Sequence, residues 1–178
     1  MGVSKRVRTV RDMETDFEAE IAEGGIVERI RNIQIGRAIV AGLIGTVVMT
    51  AVGLWVAPLM GMPAMNPAQM LAGTMGGSLA LGWMAHFMIG AILAVGYSVV
   101  APSLPGAPAL RGALYAIAPF LMAQIIVIPM MGMPLFSGSA VMAVGSLVGH
   151  LMYGAVIGSV YGPIESRAST PVAAATAA

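Results

Sequence analysis

Two long stretches without a charged side chain decide what this chain can become. After Arg37 the next Asp, Glu, Lys or Arg is Arg111, and after Arg111 the next is Glu165. A water-soluble domain keeps charged groups on its outer faces, where water solvates them, and these stretches have none to offer. Their surroundings are therefore hydrocarbon. The overall balance agrees, with 58% apolar and 10% charged residues in a chain of 178.

Within this region four apolar runs stand out, at about 37–59, 79–100, 110–130 and 139–161. As helix each measures roughly 31 to 35 Å, enough for a hydrocarbon layer about 30 Å thick. Backbone groups in lipid must find partners within their own segment, so the runs read as helices and not as strands. Eight of the nine basic residues lie outside 38–164, and with Arg111 they all fall on one side of a four-span path. The positive-inside rule makes that side cytoplasmic and places both termini there. Trp55 and Trp83 then fall towards the outer ends of their spans and Tyr97, Tyr115 and Tyr161 towards the inner ends, as two aromatic belts would.

The flanks differ from the spans. Residues 1–34 form a charged arm broken at Gly24-Gly25, after which Ile26, Ile30 and Ile33 recur at the spacing of an interfacial helix. The tail 163–178 reads as disordered. The first apolar run begins too late for a cleaved signal peptide, so span one is expected to stay in the mature chain. Between spans one and two, Asn66-Pro67 has the form of an N-cap followed by proline at the first helical position, which predicts a short helix at the outer surface.

The chain also repeats itself. Pro58-Leu59-Met60-Gly61-Met62-Pro63 recurs 71 residues later as Pro129-Met130-Met131-Gly132-Met133-Pro134, with five of six residues identical. His86-Phe87-Met88-Ile89-Gly90-Ala91 recurs 64 residues later as His150-Leu151-Met152-Tyr153-Gly154-Ala155, and a tyrosine follows each histidine by eleven positions. Each unit holds two spans, so both copies enter the membrane from the same side. The expected fold is an all-α integral membrane four-helix bundle, residues 35–162, built from two parallel two-span repeats at about 37–100 and 110–161.

That arrangement puts His86 and His150, the only histidines, at equal depth, each about 16 Å along its helix from the inner tyrosine. An ionisable side chain at mid-membrane is a functional candidate because the bilayer penalises it unless it finds a partner. Small residues four positions either side (Gly82 and Gly90; Ser146 and Gly154) would leave room for a flat macrocycle. One reading is a b-type haem ligated by both imidazoles. The same small residues also permit close helix packing, the more common use of such residues, with Thr46, Thr50 and Gln124 as candidate hydrogen-bond partners for the imidazoles. Methionines crowd the outer side, and thioethers favour Cu(I), so Met60, Met62, Met131 and Met133 form a candidate copper set. Against it, methionine is a common apolar filler, and MGMP reads first as a helix ending in glycine and proline.

The run from Met60 through Asn66-Pro67-Ala68, followed by Gly82-Trp83-Met84-Ala85-His86-Phe87-Met88-Ile89-Gly90, resembles a family of small four-span bacterial inner-membrane proteins of unknown function, over roughly residues 36–162. The resemblance implies a multi-pass bacterial inner-membrane protein and carries no activity with it. The chain has no cysteine, and its spans have no carboxylate, phosphate-binding glycine loop or zinc-protease helix motif, which argues against an enzyme. No basic patch suggests nucleic acid. The expected role is a non-catalytic subunit in a larger respiratory or photosynthetic membrane complex, with the lipid bilayer and other membrane subunits as partners and no cofactor of its own. A bis-histidine haem protein or a small-solute or copper transporter are the alternatives.

Overall fold

The structure, a computed structural model, describes residues 34–163. The charged arm with its expected interfacial helix and the expected disordered tail lie outside that range. Four helices have the length and hydropathy to cross a membrane: α1 Ile35–Leu59, α3 Leu79–Ser103, α4 Pro108–Met130 and α5 Ala140–Tyr161. A fifth, α2 Pro67–Thr74, connects α1 to α3, and the side chain of Asn66 accepts from Gln69 N–H at 3.1 Å as the expected N-cap. No strand forms among the described residues. The membrane-length helices fall within a few residues of the expected spans.

Glycine sets how the helices meet. A Cβ on Gly42 of α1 would lie 2.6 Å from the carbonyl oxygen of Gly90 on α3, and a Cβ on Gly112 of α4 would run into the carbonyl of Gly154 on α5. Both crossings bring backbone against backbone, the close approach that small residues allow between helices in lipid. Between α1 and α5 the contact is different: Gly45 receives the Tyr153 ring and Ile157. Towards the end that carries Arg37 and Arg111, here called the basic end, Ala41, Ala94, Tyr97, Ala101, Tyr153 and Ile157 close into a buried core. Arg37 Nε donates to the carbonyl of Val160 at 3.2 Å there and ties the start of α1 to the end of α5.

The tyrosines at this end depart from the sequence reading. Tyr97 is 1% exposed, its ring edge-on to Tyr115 at 5.5 Å and to Tyr161 at 5.9 Å. They form a cluster between α3, α4 and α5, in which Tyr97 is buried and Tyr115 and Tyr161 are half-buried. Trp55, at 69% exposure, does face outwards near the far end.

The two spans that end in Met-Gly-Met-Pro end in the same way. α1 widens into a π turn at Val52–Val56 and α4 at Ala123–Val127, with Ala57 N–H bonding to Val52 O and Ile128 N–H to Ala123 O. The cause is the proline that follows. In a regular helix the rings of Pro58 and Pro129 would strike the carbonyls of Leu54 and Ile125, four residues earlier, and a wider turn carries those carbonyls away. Each helix then stops in a Schellman cap. Gly61 (φ 79°) and Gly132 (φ 78°) take the left-handed position, while Met62 N–H reaches Ala57 O at 3.0 Å and Met133 N–H reaches Ile128 O at 3.2 Å.

After the caps the two segments diverge. Met65 N–H folds back to donate to Gly53 O at 2.9 Å, and α2 then packs along α3, with Gly82 beneath Ala68. The shorter second connection turns through three consecutive left-handed residues, Phe136 (φ 53°), Ser137 (φ 59°) and Gly138 (φ 64°). Two of these carry side chains, and such a backbone persists only where its surroundings hold it.

Candidate functional site

Helix α1 packs between α3 and α5, and α4 packs on the far side of α5. The fourth seam, between α3 and α4, is closed mainly near the basic end, where Tyr115 Oη donates to Leu93 O at 2.9 Å. Beyond that point the two helices part and leave a cavity of about 540 Å³ in the half of the bundle away from the basic end. Its walls come from all four spans and from α2. They carry no charged residue; the polar side chains include Thr46, His86, Gln124, Ser146 and His150, and methionines such as Met49, Met122 and Met142 make much of the rest.

Both histidines face this cavity, and each is held by a hydrogen bond to a helical neighbour. His86 Nε2 lies 3.1 Å from Thr50 Oγ1, whose hydroxyl is itself 2.8 Å from the carbonyl of Thr46. His150 Nδ1 lies 2.7 Å from the carbonyl of Ser146, one turn earlier on the same helix. Aromatic rings stand behind both: Trp83 and Phe87 at 6.3 and 6.0 Å from His86, and Phe120 at 5.7 Å from His150.

A second group of polar contacts runs from the far end towards His150. Ser137 Oγ donates to Gln124 Oε1 at 3.3 Å, and Gln124 Nε2 donates to Ser146 Oγ at 2.9 Å. Gln124 is only 1% exposed, so the amide depends on these two hydroxyls. The strained turn at Phe136–Gly138 has a clear task here, because it presents Ser137 to the amide. Gln124 also occupies the second position of its π turn, where the other π turn has Gly53, whose carbonyl receives Met65 N–H. Replacing Gln124 by leucine removes both bonds at once and leaves two hydroxyls facing an apolar side chain. A loss of about 1 to 3 kcal/mol is expected, read as a lower midpoint for thermal unfolding in detergent.

The sequence-derived sites fare unevenly. His86 and His150 share one cavity. Thr50 bonds His86 directly, and Gln124 reaches His150 only through Ser146, whereas the Thr46 hydroxyl turns to Gly42 O at 2.8 Å. Three of the four small residues expected to make room for a macrocycle are engaged in helix contacts, since a Cβ on Gly82 would meet Ala68, one on Gly90 would meet Thr46, and one on Gly154 would meet Gly112, while Gly90 and Ser146 also line the cavity. Of the candidate copper ligands, Met131 and Met133 line the cavity and Met62 abuts Gly145, another lining residue, whereas Met60 stands apart at 68% exposure. Ser137 and the Tyr153 hydroxyl, which donates to Gly90 O at 2.6 Å, had no signal in the sequence. Ser146 had one, its position four residues before a histidine.

Four membrane-length helices around a shared cavity define a multi-pass helical membrane protein. A family model described as a family of unknown function (DUF6789) matches residues 33–172, and the chain belongs to that family. No curated protein and no solved structure matches it.

Proposed function

We propose that the protein is a bilayer-embedded binding protein for a neutral, lipid-soluble small molecule, received sideways from the membrane between α3 and α4. The observation that carries this reading is the rim of the cavity. Ile89 of α3 and Met122 of α4 both line it, and both are exposed on the outside of the bundle, at 41% and 45%. Ile89 lies ten residues into α3 and Met122 eight residues before the end of α4, about 15 and 12 Å from those helix ends. In a layer about 30 Å thick this part of the rim meets hydrocarbon, while exposed Gln69 and Met70 of α2 line the cavity at its outer end.

Size and chemistry are consistent with that occupant. A volume of about 540 Å³ falls in the range of about 300 to 1,000 Å³ typical of small-molecule sites, which pair apolar walls with a few placed polar groups. Walls without a charged residue favour a neutral guest. A subunit that docks other chains would need its glycine- and alanine-rich faces free for partners. Much of those faces is taken by contacts within the chain, which favours the binding role.

The binding unit is read as two parallel two-span copies whose π turns and Schellman caps recur at the 71-residue offset. It sits in a bacterial inner membrane with the basic end cytoplasmic. The test is photolabelling of the full chain in lipid vesicles with a lipid-soluble alkyl diazirine, followed by peptide mass spectrometry. Label on cavity residues such as Met142 and Gly149, reduced by excess unlabelled compound, is the expected result. Label confined to outward-facing Met84 and Met88, and insensitive to competition, would overturn the reading.

A further inference from the structure

Proton counting fixes what the two imidazoles offer a guest. A carbonyl oxygen has no proton to give, so an O···O separation of 2.8 Å between Thr50 Oγ1 and Thr46 O places the threonine hydroxyl proton on that bond. Thr50 Oγ1 can then only accept from His86, which puts the imidazole proton on Nε2 across the 3.1 Å contact. His150 takes the opposite tautomer. Its Nδ1 is 2.7 Å from Ser146 O, again an acceptor alone, so Nδ1 carries the proton. A neutral imidazole holds one N–H, and the nitrogens left over are His86 Nδ1 and His150 Nε2, each with a lone pair. Neither is bonded within the described residues, and both rings line the cavity.

We infer that His86 Nδ1 and His150 Nε2 are paired hydrogen-bond acceptors for a lipid-soluble phenolic guest of the hydroquinone type; this rests on the cavity being the ligand site. The acceptors call for hydroxyl donors, and a phenolic hydroxyl is a stronger donor than an aliphatic one. The walls call for a flat ring, since the thioethers of Met49, Met122 and Met142 make favourable contacts with aromatic edges and faces. An oxidised quinone has only acceptor oxygens, which leave both lone pairs unmatched in an apolar enclosure. The site therefore prefers the reduced, hydroxyl-bearing form. Ligation of a metal through Nε2 of both rings would first require His86 to give up Thr50.

The experiment compares two compounds on the full chain in nanodiscs, without oxygen, by equilibrium dialysis. One is a decyl hydroquinone, and the other is the same molecule with both hydroxyls replaced by methyl groups, which keeps its shape and removes the donors. The hydroquinone is expected to bind at least tenfold more tightly, and His150→Leu is expected to remove most of that difference. Equal affinities would overturn the assignment of the acceptors while leaving the cavity as a binding site. Failure of both compounds to bind, with diazirine label still in the cavity, would equally overturn it. The comparison on the native chain decides the matter even if the variant does not fold.

Discussion

Gly112→Val separates α4 from α5 and keeps the membrane domain from closing. A side chain at Gly112 meets backbone on α5, the Gly154 carbonyl and the Gly158 nitrogen, and not the end of a flexible side chain that could turn aside. Gly154 and Gly158 stand in the same relation to Gly112, Ala116 and Pro108, so the whole crossing must widen. Overpacking a well-filled interior costs about 1 to 3 kcal/mol, and a rigid backbone obstacle belongs at or above the top of that range. The variant is expected to be lost from the monodisperse peak on size-exclusion chromatography in mild detergent. Gly36→Ala supplies the contrast. Among the described residues nothing lies within 4 Å of a Cβ placed there, and it is helical, so the change should leave the protein intact or slightly more stable. Equal behaviour of the two variants would remove the crossing from its central place in the fold.

Gly149→Phe should do the reverse, abolishing binding without harming the fold. Gly149 lines the cavity, and a Cβ there meets only the Met49 side chain, at 3.5 and 3.7 Å, which is ordinary contact. The ring beyond that Cβ enters the space that a ligand needs. Affinity for any cavity ligand should fall at least about a hundredfold, or roughly 2.7 kcal/mol. Thermal stability should hold or rise, because filling an internal space is a common way to gain it. Loss of binding together with preserved stability is what distinguishes an occupied cavity from a general disturbance. Retention of binding by this variant would place the ligand elsewhere.

What the sequence could disclose follows the range of the forces involved. Membrane-length helices were legible because exclusion of charge acts on every residue of a span, and the cap on α2 because Asn66-Pro67 is a local device. The pairing of His86 with His150 in one cavity was foreshadowed by the repeated words around them. The α3–α4 seam was not legible, since it depends on how far two helices diverge, and no residue on α3 or α4 announces that. The role of Gly82 and Gly154 was open for the same reason: a glycine beside a histidine reads alike whether it faces a ligand or a neighbouring backbone. Ser137 was hidden by its conformation, because a left-handed serine is not a propensity that the local sequence advertises.

At mid-depth, the side chains of Ile89 and Met122 stand between the interior space and the acyl chains outside. Neither belongs to a loop or domain that must swing as a body, the kind of motion that takes microseconds to milliseconds. Both can step aside by changing rotamer, which exposed side chains do in picoseconds to nanoseconds. Under the proposed binding role, exchange of a guest would be governed by how long it clings to the wall, with the doorway adding little delay, as in a buffer in rapid equilibrium with the surrounding lipid.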